Sequence, residues 1–329
     1  MHHTSTASTA APTRFASHAT EDVDEFASAL SHFGIRNSQL TLGRFRGRVD
    51  LLELPGLKIF RKRTSKALLE CGHGPAGWVS VAMPLYQSGE VYSNGAMVGP
   101  GQATLLNSGG ELLLRSSEQL DLIAVSIGRR TLIDTLAPLD GALAQRLERL
   151  SPAPLAVESA LAGELARRLA DTLDEGHGAA ARWSCALARE GMVRELCLLT
   201  AAVLCGRDAR HRPHDVRASR RQLVARATQY LERSWFEPVR IEQICRELSA
   251  DRRTLQNAFQ EILGISPNAF FKNVRLNRVH HDLKRRSGRE EAIFEVATRW
   301  GFWHQSQFAR DYRQAFGELP SETRKRACA

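Results

Sequence analysis

The chain has 329 residues, 43% of them hydrophobic, with 45 Lys/Arg against 36 Asp/Glu for a formal charge of +9. That composition suits two or three globular domains with real apolar cores. No run approaches the roughly 18 apolar residues of a membrane span, and no basic start leads into an apolar core as a secretory signal would.

The charge is unevenly placed. From Arg207 onward there are 25 Lys/Arg against 15 Asp/Glu, whereas the residues before it hold 20 against 21. The whole excess lies on the last third, which points to a polyanionic partner for that part alone. Six cysteines (Cys71, Cys185, Cys197, Cys205, Cys245, Cys328) show no C-x-x-C spacing. They read as reduced thiols, with neither a disulfide framework nor zinc ligation expected.

Residues 1–25 begin with a Ser-, Thr- and Ala-rich stretch and read as a disordered tail. Residues 26–130 read as β. Short apolar or alternating runs (Leu51 to Leu54, Trp78 to Val81, Ala103 to Leu106, Leu120 to Val125) are separated by turn formers such as Leu54-Pro55-Gly56, Ser93-Asn94-Gly95 and Gly99-Pro100-Gly101. Evenly spaced strands of this kind predict a small antiparallel barrel or sandwich.

Only His73 lies between His32 and His177, too few histidines for a metal site with three or four protein ligands. Neither a G-x-S-x-G elbow nor a Walker loop occurs. No catalytic or metal-binding residues are therefore expected, and small-molecule sensing suits this region better than enzymatic chemistry. Trp78, Met83, Tyr86, Tyr92 and Met97 are the candidates to line an effector cavity at the barrel mouth. The bland alternative makes them core or rim.

Residues 131–205 turn helical. Leu132, Leu136, Leu143, Leu147 and Leu150 form one stripe, and Leu155, Leu161, Leu165, Leu169 and Leu173 a second. Trp183 to Leu204 is apolar nearly all round, which implies burial. A dimer interface and packing under the chain's own barrel explain it equally well. Residues 206–219 have almost no apolar content and include Pro213, as an interdomain linker would.

The rest, 220–329, contains a repeat. Ile241, Ile244, Cys245 and Leu248 recur 52 positions on as Ile293, Val296, Ala297 and Trp300. Leu255, Phe259, Leu263, Gly264 and Pro267 recur at an offset of 53 as Phe308, Tyr312, Phe316, Gly317 and Pro320. Each copy spells two amphipathic helices joined by a tight turn. The second helix of copy one turns Arg252, Arg253, Gln256, Asn257 and Gln260 outward. That of copy two offers Gln305, Ser306, Gln307, Arg310 and Arg313. Arg, Gln and Asn are the side chains that pair with guanine or adenine edges in a major groove. Two solvated helix faces are the bland reading; a tandem copy in a basic background favours DNA.

Between the copies, Pro267 predicts a helix running to about Leu283, with Phe270, Val274, Val279 and Leu283 buried. At 1.5 Å per residue it spans roughly 25 Å, enough to separate two recognition helices by about one DNA turn. Arg275, Arg278 and Lys284 to Arg286 read either as phosphate contacts or as solvated charge, and Lys272 as a phosphate contact. His280 and His281 are expected to face solvent. Asp251 is placed to cap the first recognition helix, and Gly264 to end it in the left-handed conformation.

The run Arg252 to Phe259, the Gly264-Ile265-Ser266-Pro267 step and Arg275-Leu276 resemble the first half of an AraC/XylS-type DNA-binding domain. Trp300-Gly301-Phe302, Ser306-Gln307-Phe308, Phe316-Gly317 and Pro320-Ser321 resemble its second half. The resemblance covers roughly residues 221–325. Asn257 departs from the pattern, standing where an Arg is common. The resemblance implies an α+β multidomain protein: a cupin-like barrel or sandwich sensor, a helical coupling or dimerisation region, and an all-α tandem helix-turn-helix domain.

It further implies a cytoplasmic, effector-controlled transcription regulator, an activator in contact with RNA polymerase, and a possible homodimer. Within the family, Arg252 to Phe259, Pro267-Asn268-Ala269 and Trp300 to His304 are most similar to regulators of ethanolamine utilisation. That similarity implies ethanolamine, cobalamin or both as effector. Two rivals stand beside this reading. One is a small-molecule-binding cupin-type enzyme with an accessory DNA-binding domain, and the other an architectural nucleic-acid protein without an effector.

Overall fold

The computed structural model of the chain describes residues 13–30, 33–94, 96–106, 108–148, 155–158, 160–178, 185–205, 216–233, 239–285 and 291–328. Its first half alternates buried and open positions as half-buried strands must. The strands are β1 (Arg14–Thr20), β2 (Arg36–Gln39), β3 (Gly47–Leu54), β4 (Leu57–Thr64), β5 (Leu68–His73), β6 (Trp78–Gln87), β7 (Val91–Ser93), β8 (Ala96–Val98), β9 (Gln102–Leu106), β10 (Glu111–Arg115), β11 (Leu120–Gly128) and β12 (Leu155–Glu158). They form an antiparallel seven-stranded sheet, β1-β3-β4-β11-β6-β9-β12, and a five-stranded sheet, β2-β5-β10-β7-β8.

The Pro55-Gly56 turn shows how register is set. Proline presets the first turn residue and Gly56 takes a φ of 75°, which pairs Leu54 with Leu57 and every β3–β4 partner behind them. A short helix α1 (Val23–Ser28) is capped by Asp22, which accepts from the amides of Asp24 and Glu25. It closes one end of the sandwich with Phe26, and the chain just beyond it adds Leu30 and Phe33. These meet Phe60, Leu68, Leu114 and Leu122 from the two inner faces.

The outer face of the large sheet is covered by α2 (Arg129–Leu136), α3 (Gly141–Glu148), α4 (Ala160–Gly178) and α5 (Ala186–Cys205). Leu132, Leu147, Leu165, Leu169 and Leu196 pack there on Leu52, Ile59, Val81 and Val125. The chain's own sheet thus explains the helical region's apolar stripes.

Two sequence expectations need correction. Residues 14–20, read as tail, form β1, because Phe15 packs on the core beneath α2–α5 and Ser17 donates to Asp50 at 2.7 Å. Leu155, read as the start of a helical stripe, lies in β12 and pairs with Leu105. Residues 1–12 of the expected tail, and 206–215 of the expected linker, lie outside the described residues; 216–219 already belong to a helix.

The second half is helical: α6 (Val216–Arg233), α7 (Ile241–Glu247), α8 (Arg252–Leu263), α9 (Pro267–Lys284), α10 (Ile293–Arg299), α11 (Gln305–Phe316) and α12 (Pro320–Cys328). Helix α9 is the spine. At its start Phe270 and Phe271 pack on Phe259 with ring centroids 5.3 and 5.6 Å away. Further along, Leu276, Val279 and Leu283 join Phe308, Tyr312 and Phe316 in a separate core.

The first of these cores does not stop at the helical half. Leu40, Ala67, Leu69 and Leu113 from the small sheet's side of the sandwich share it with Val224, Ile244 and Phe259. Polar contacts join the halves as well. Asn273 donates to the Leu40 carbonyl at 2.9 Å, Asn277 accepts from the Gln39 amide at 3.1 Å, and the Gly43 amide donates to the Gln314 carbonyl at 2.8 Å.

Candidate nucleic-acid interface

Helix α8 starts where Asp251 accepts from the Thr254 amide at 2.8 Å and from its hydroxyl at 2.6 Å. These bonds hold the exposed Asp251 carboxyl below the usual carboxylate range. The helix ends at Gly264, in the left-handed region at φ 67°. Leu255, Ala258, Phe259, Ile262 and Leu263 face inward. Arg252, Arg253, Gln256, Asn257 and Gln260 are all exposed on the opposite side. Arg252 stands 3.8 Å from Glu242, so part of its charge is met within the chain.

Helix α11 repeats the arrangement. It ends at Gly317 with φ 74°, buries Phe308, Tyr312 and Phe316, and exposes Gln305, Ser306, Gln307, Arg310 and Arg313. The two turns begin alike, although the second is one residue longer. Ser249 and Gly301, 52 positions apart, both adopt positive φ, 50° and 78°. In the second turn Trp303 is 70% exposed, beside an exposed His304.

Helix α9 is less available to DNA than expected. Arg278 is buried, donates to the Leu231 carbonyl at 2.7 Å and lies 5.2 Å over the Trp300 ring. Arg275 sits 5.2 Å over Phe302, where burial pushes its guanidinium below the usual range. Lys284 meets Asp22 at 2.5 Å. Lys272, taken as a phosphate contact, pairs with Asp311 at 2.7 Å.

Of the two histidines, one is withdrawn from solvent and the other is half-buried. His280 is buried, stacked on Phe316 at 4.4 Å and hydrogen-bonded to the Tyr312 hydroxyl at 2.8 Å; His281 lies 3.3 Å from Asp24. The reason is common to all of these. One helix that is the spine of two cores and also touches the sandwich has little surface left. Of the other two basic residues, Arg285 is exposed and Arg286 lies outside the described residues. Arg278→Ala is thus expected to lower stability by about 1–3 kcal/mol, the cost of orphaning a buried carbonyl, in denaturant titrations. It should leave the salt dependence of DNA binding unchanged.

One buried partner of the exposed face of α11 escaped sequence reasoning. Asp311, 7% exposed, accepts from the Gln307 side-chain amide at 2.9 Å as well as from Lys272. The i, i+4 spacing from Gln307 was the available signal.

The expected effector-lining residues are dispersed. Met83 is buried in the core under α2–α5, and Trp78 lies under Lys58, 5.7 Å from its ring. Tyr92 pairs with Met97 across β7 and β8, whereas Tyr86 and Met97 are more than half exposed. The sandwich interior is lined by apolar side chains, Phe26, Phe33, Phe60, Leu68 and Leu122 among them. A cavity of about 290 Å³ lies between the halves, with Ile35, Arg36, Leu69, Phe270, Val274 and His281 among its walls.

Comparison with known proteins matches residues 24–205 to the AraC-binding-like domain and residues 244–326 to a helix-turn-helix domain. The probable thc operon regulatory protein of Rhodococcus erythropolis is 34% identical over 127 residues, 38% of each chain. The XylDLEGF operon transcriptional activator of Pseudomonas putida is 33% identical over 98 residues, 30% of each chain. These matches thus span 30–38% of the relatives' own lengths. The crystal structure of the AraC-like transcriptional activator CuxR, 16% identical, aligns with 80% of this chain and 94% of that one at a TM-score of 0.43. The AraC-binding-like match alone takes in more than half of the chain, and with a helix-turn-helix domain following it this protein belongs to the AraC family of transcriptional regulators.

Proposed function

We propose that the chain is a DNA-binding transcription regulator in which α8 and α11 enter successive major grooves, under control of a small molecule bound against the β-rich half. One observation carries this reading: two helices in equivalent settings each bury an apolar face and expose Arg and Gln, with Asn257 added on the first. Those are the side chains that read base edges, and the cationic excess of this half supplies the phosphate attraction.

Two non-identical boxes on one face of the duplex follow, since Arg253/Gln256/Asn257 and Gln305/Gln307/Arg310 present different donor sets. The full-length chain is expected to bind duplex DNA with log affinity falling linearly in log salt. The loss between 50 and 200 mM salt should be about 10³-fold, if six or so phosphates are contacted. A folded chain without salt-sensitive DNA affinity would overturn the reading. Activation through RNA polymerase and a homodimeric state belong to the proposal on family grounds.

For the effector, the cavity between the halves has the better claim. A ligand there would touch both the sandwich and α9, and so couple them. At about 290 Å³ it suits a small molecule and is too small to enclose a corrin ring. The relatives found lend no support to ethanolamine or cobalamin.

A further inference from the structure

Gln307 is exposed on a recognition helix, yet its amide is not free to turn. Its Nε2 lies 2.9 Å from Asp311 Oδ1. A carboxylate only accepts hydrogen bonds, so the nitrogen end of the amide must face Asp311 and the carbonyl oxygen must face away. Asp311 is itself held. Its side chain is 8% exposed, and Lys272 Nζ reaches the same Oδ1 at 2.7 Å from the connecting helix α9. That cation also offsets the repulsion a carboxylate so near the duplex would otherwise exert on phosphates.

Resting on the DNA-binding reading above, we propose that Asp311, anchored by Lys272, is a positioning residue that sets the base Gln307 selects. One amide hydrogen is used by Asp311. What remains toward the groove is the oxygen, an acceptor, beside the second N–H, a donor. That pair matches adenine, whose N6 donates and N7 accepts. It opposes guanine, which offers acceptors at both O6 and N7. An unpinned glutamine could turn over and serve either purine, so the anchor supplies the discrimination.

Selection of bound oligonucleotides by the full-length chain, with affinities measured for the four bases at the Gln307 position, tests this. The unaltered chain should prefer adenine over guanine there by about 10-fold or more. Asp311→Ala should bring the two within about 2-fold while leaving preferences in the α8 box as they were. Asp311→Asn, whose Oδ1 still accepts from both Lys272 and Gln307, should retain the adenine preference. The charge swap Lys272→Glu with Asp311→Lys keeps the ion pair but places a donor against the amide. Gln307 would then turn its nitrogen outward, and the preferred base should become guanine.

Unchanged adenine preference in Asp311→Ala, or in the swap should the alanine variant fail to melt cooperatively, would overturn the proposal. Loss of affinity for all sequences alike in Asp311→Ala would overturn it too, as the mark of a purely structural residue. If the unaltered chain binds no DNA, the functional reading falls first, and this inference with it.

Discussion

Lys62→Ala is expected to destabilise the β-rich half by about 3–5 kcal/mol, the cost of leaving a buried charge without its partner. Lys62 on β4 and Glu70 on β5 belong to opposite sheets, and their side chains are 4% and 1% exposed. Lys62 Nζ donates to both Glu70 oxygens, at 2.6 and 2.5 Å. Both charges have left water, so attraction between them offsets a desolvation cost of several kcal/mol for each. Removing the lysine leaves that cost on Glu70 without relief.

Replacing both, as Lys62→Met with Glu70→Leu, should be near neutral or stabilising, because well-packed apolar groups of similar volume need no such offset. Urea unfolding of the single and double variants separates the two effects. A loss below about 1 kcal/mol in Lys62→Ala would mean that water reaches the pair and that the sandwich interior is wetter than its phenylalanines suggest.

The second large effect is on acid stability, at the contact between α1 and the end of α9. Burial pushes the Asp22 carboxyl up, but hydrogen bonds from His280 and Lys284 outweigh it, and the group sits well below the ordinary carboxylate range. Asp24, more open to solvent, is lowered in the same way by His281 and Lys284. A carboxylate with a lower pKa in the folded chain releases its proton more readily there than when unfolded. Its contribution is therefore complete above the unfolded value near 3.8, and drains away as pH falls toward the folded one.

For Asp22 that contribution is about 2–3 kcal/mol, the scale of a salt-bridged aspartate. Unfolding midpoints should hold steady down to about pH 5 and fall below it. Asp22→Asn keeps a cap for α1 but loses the charge facing Lys284, so it should be less stable at neutral pH and shallower in its acid decline. An acid slope identical to that of the unaltered chain would show that this contact does not carry the dependence.

The tandem repeat made the helical half legible before any coordinates. Periodic burial needs only local spacing, and the apolar sets at Ile241 to Leu263 and Ile293 to Phe316 occupy the predicted cores. The outward faces of α8 and α11 were legible for the same reason, as the complement of those stripes. Asp251 and Gly264 also perform as read, because a cap depends on residues three or four apart. Sandwich strands could be read from their turns, although β1 was missed, since its stability comes from β3 some thirty residues away.

What no local pattern contains is which charged and polar groups find partners across the chain. Arg278, His280 and Lys284 look like surface residues by type; the first two become interior through α6 and α11, and the third is half-buried against Asp22. The aromatic residues near Trp78 look like a cavity lining and are scattered over core and surface. The cavity that does form is bounded by Arg36, Leu69 and Phe270, drawn from distant segments. Sequence alone thus determined the architecture and the two helices with outward polar faces, because amphipathic spacing and caps act within a few residues. Tertiary structure decided the cavity between the halves, the fate of the connecting helix's charges and the contact of Gln307 with an Asp311 paired to Lys272. Each of those depends on long-range contacts whose partners the chain order does not announce.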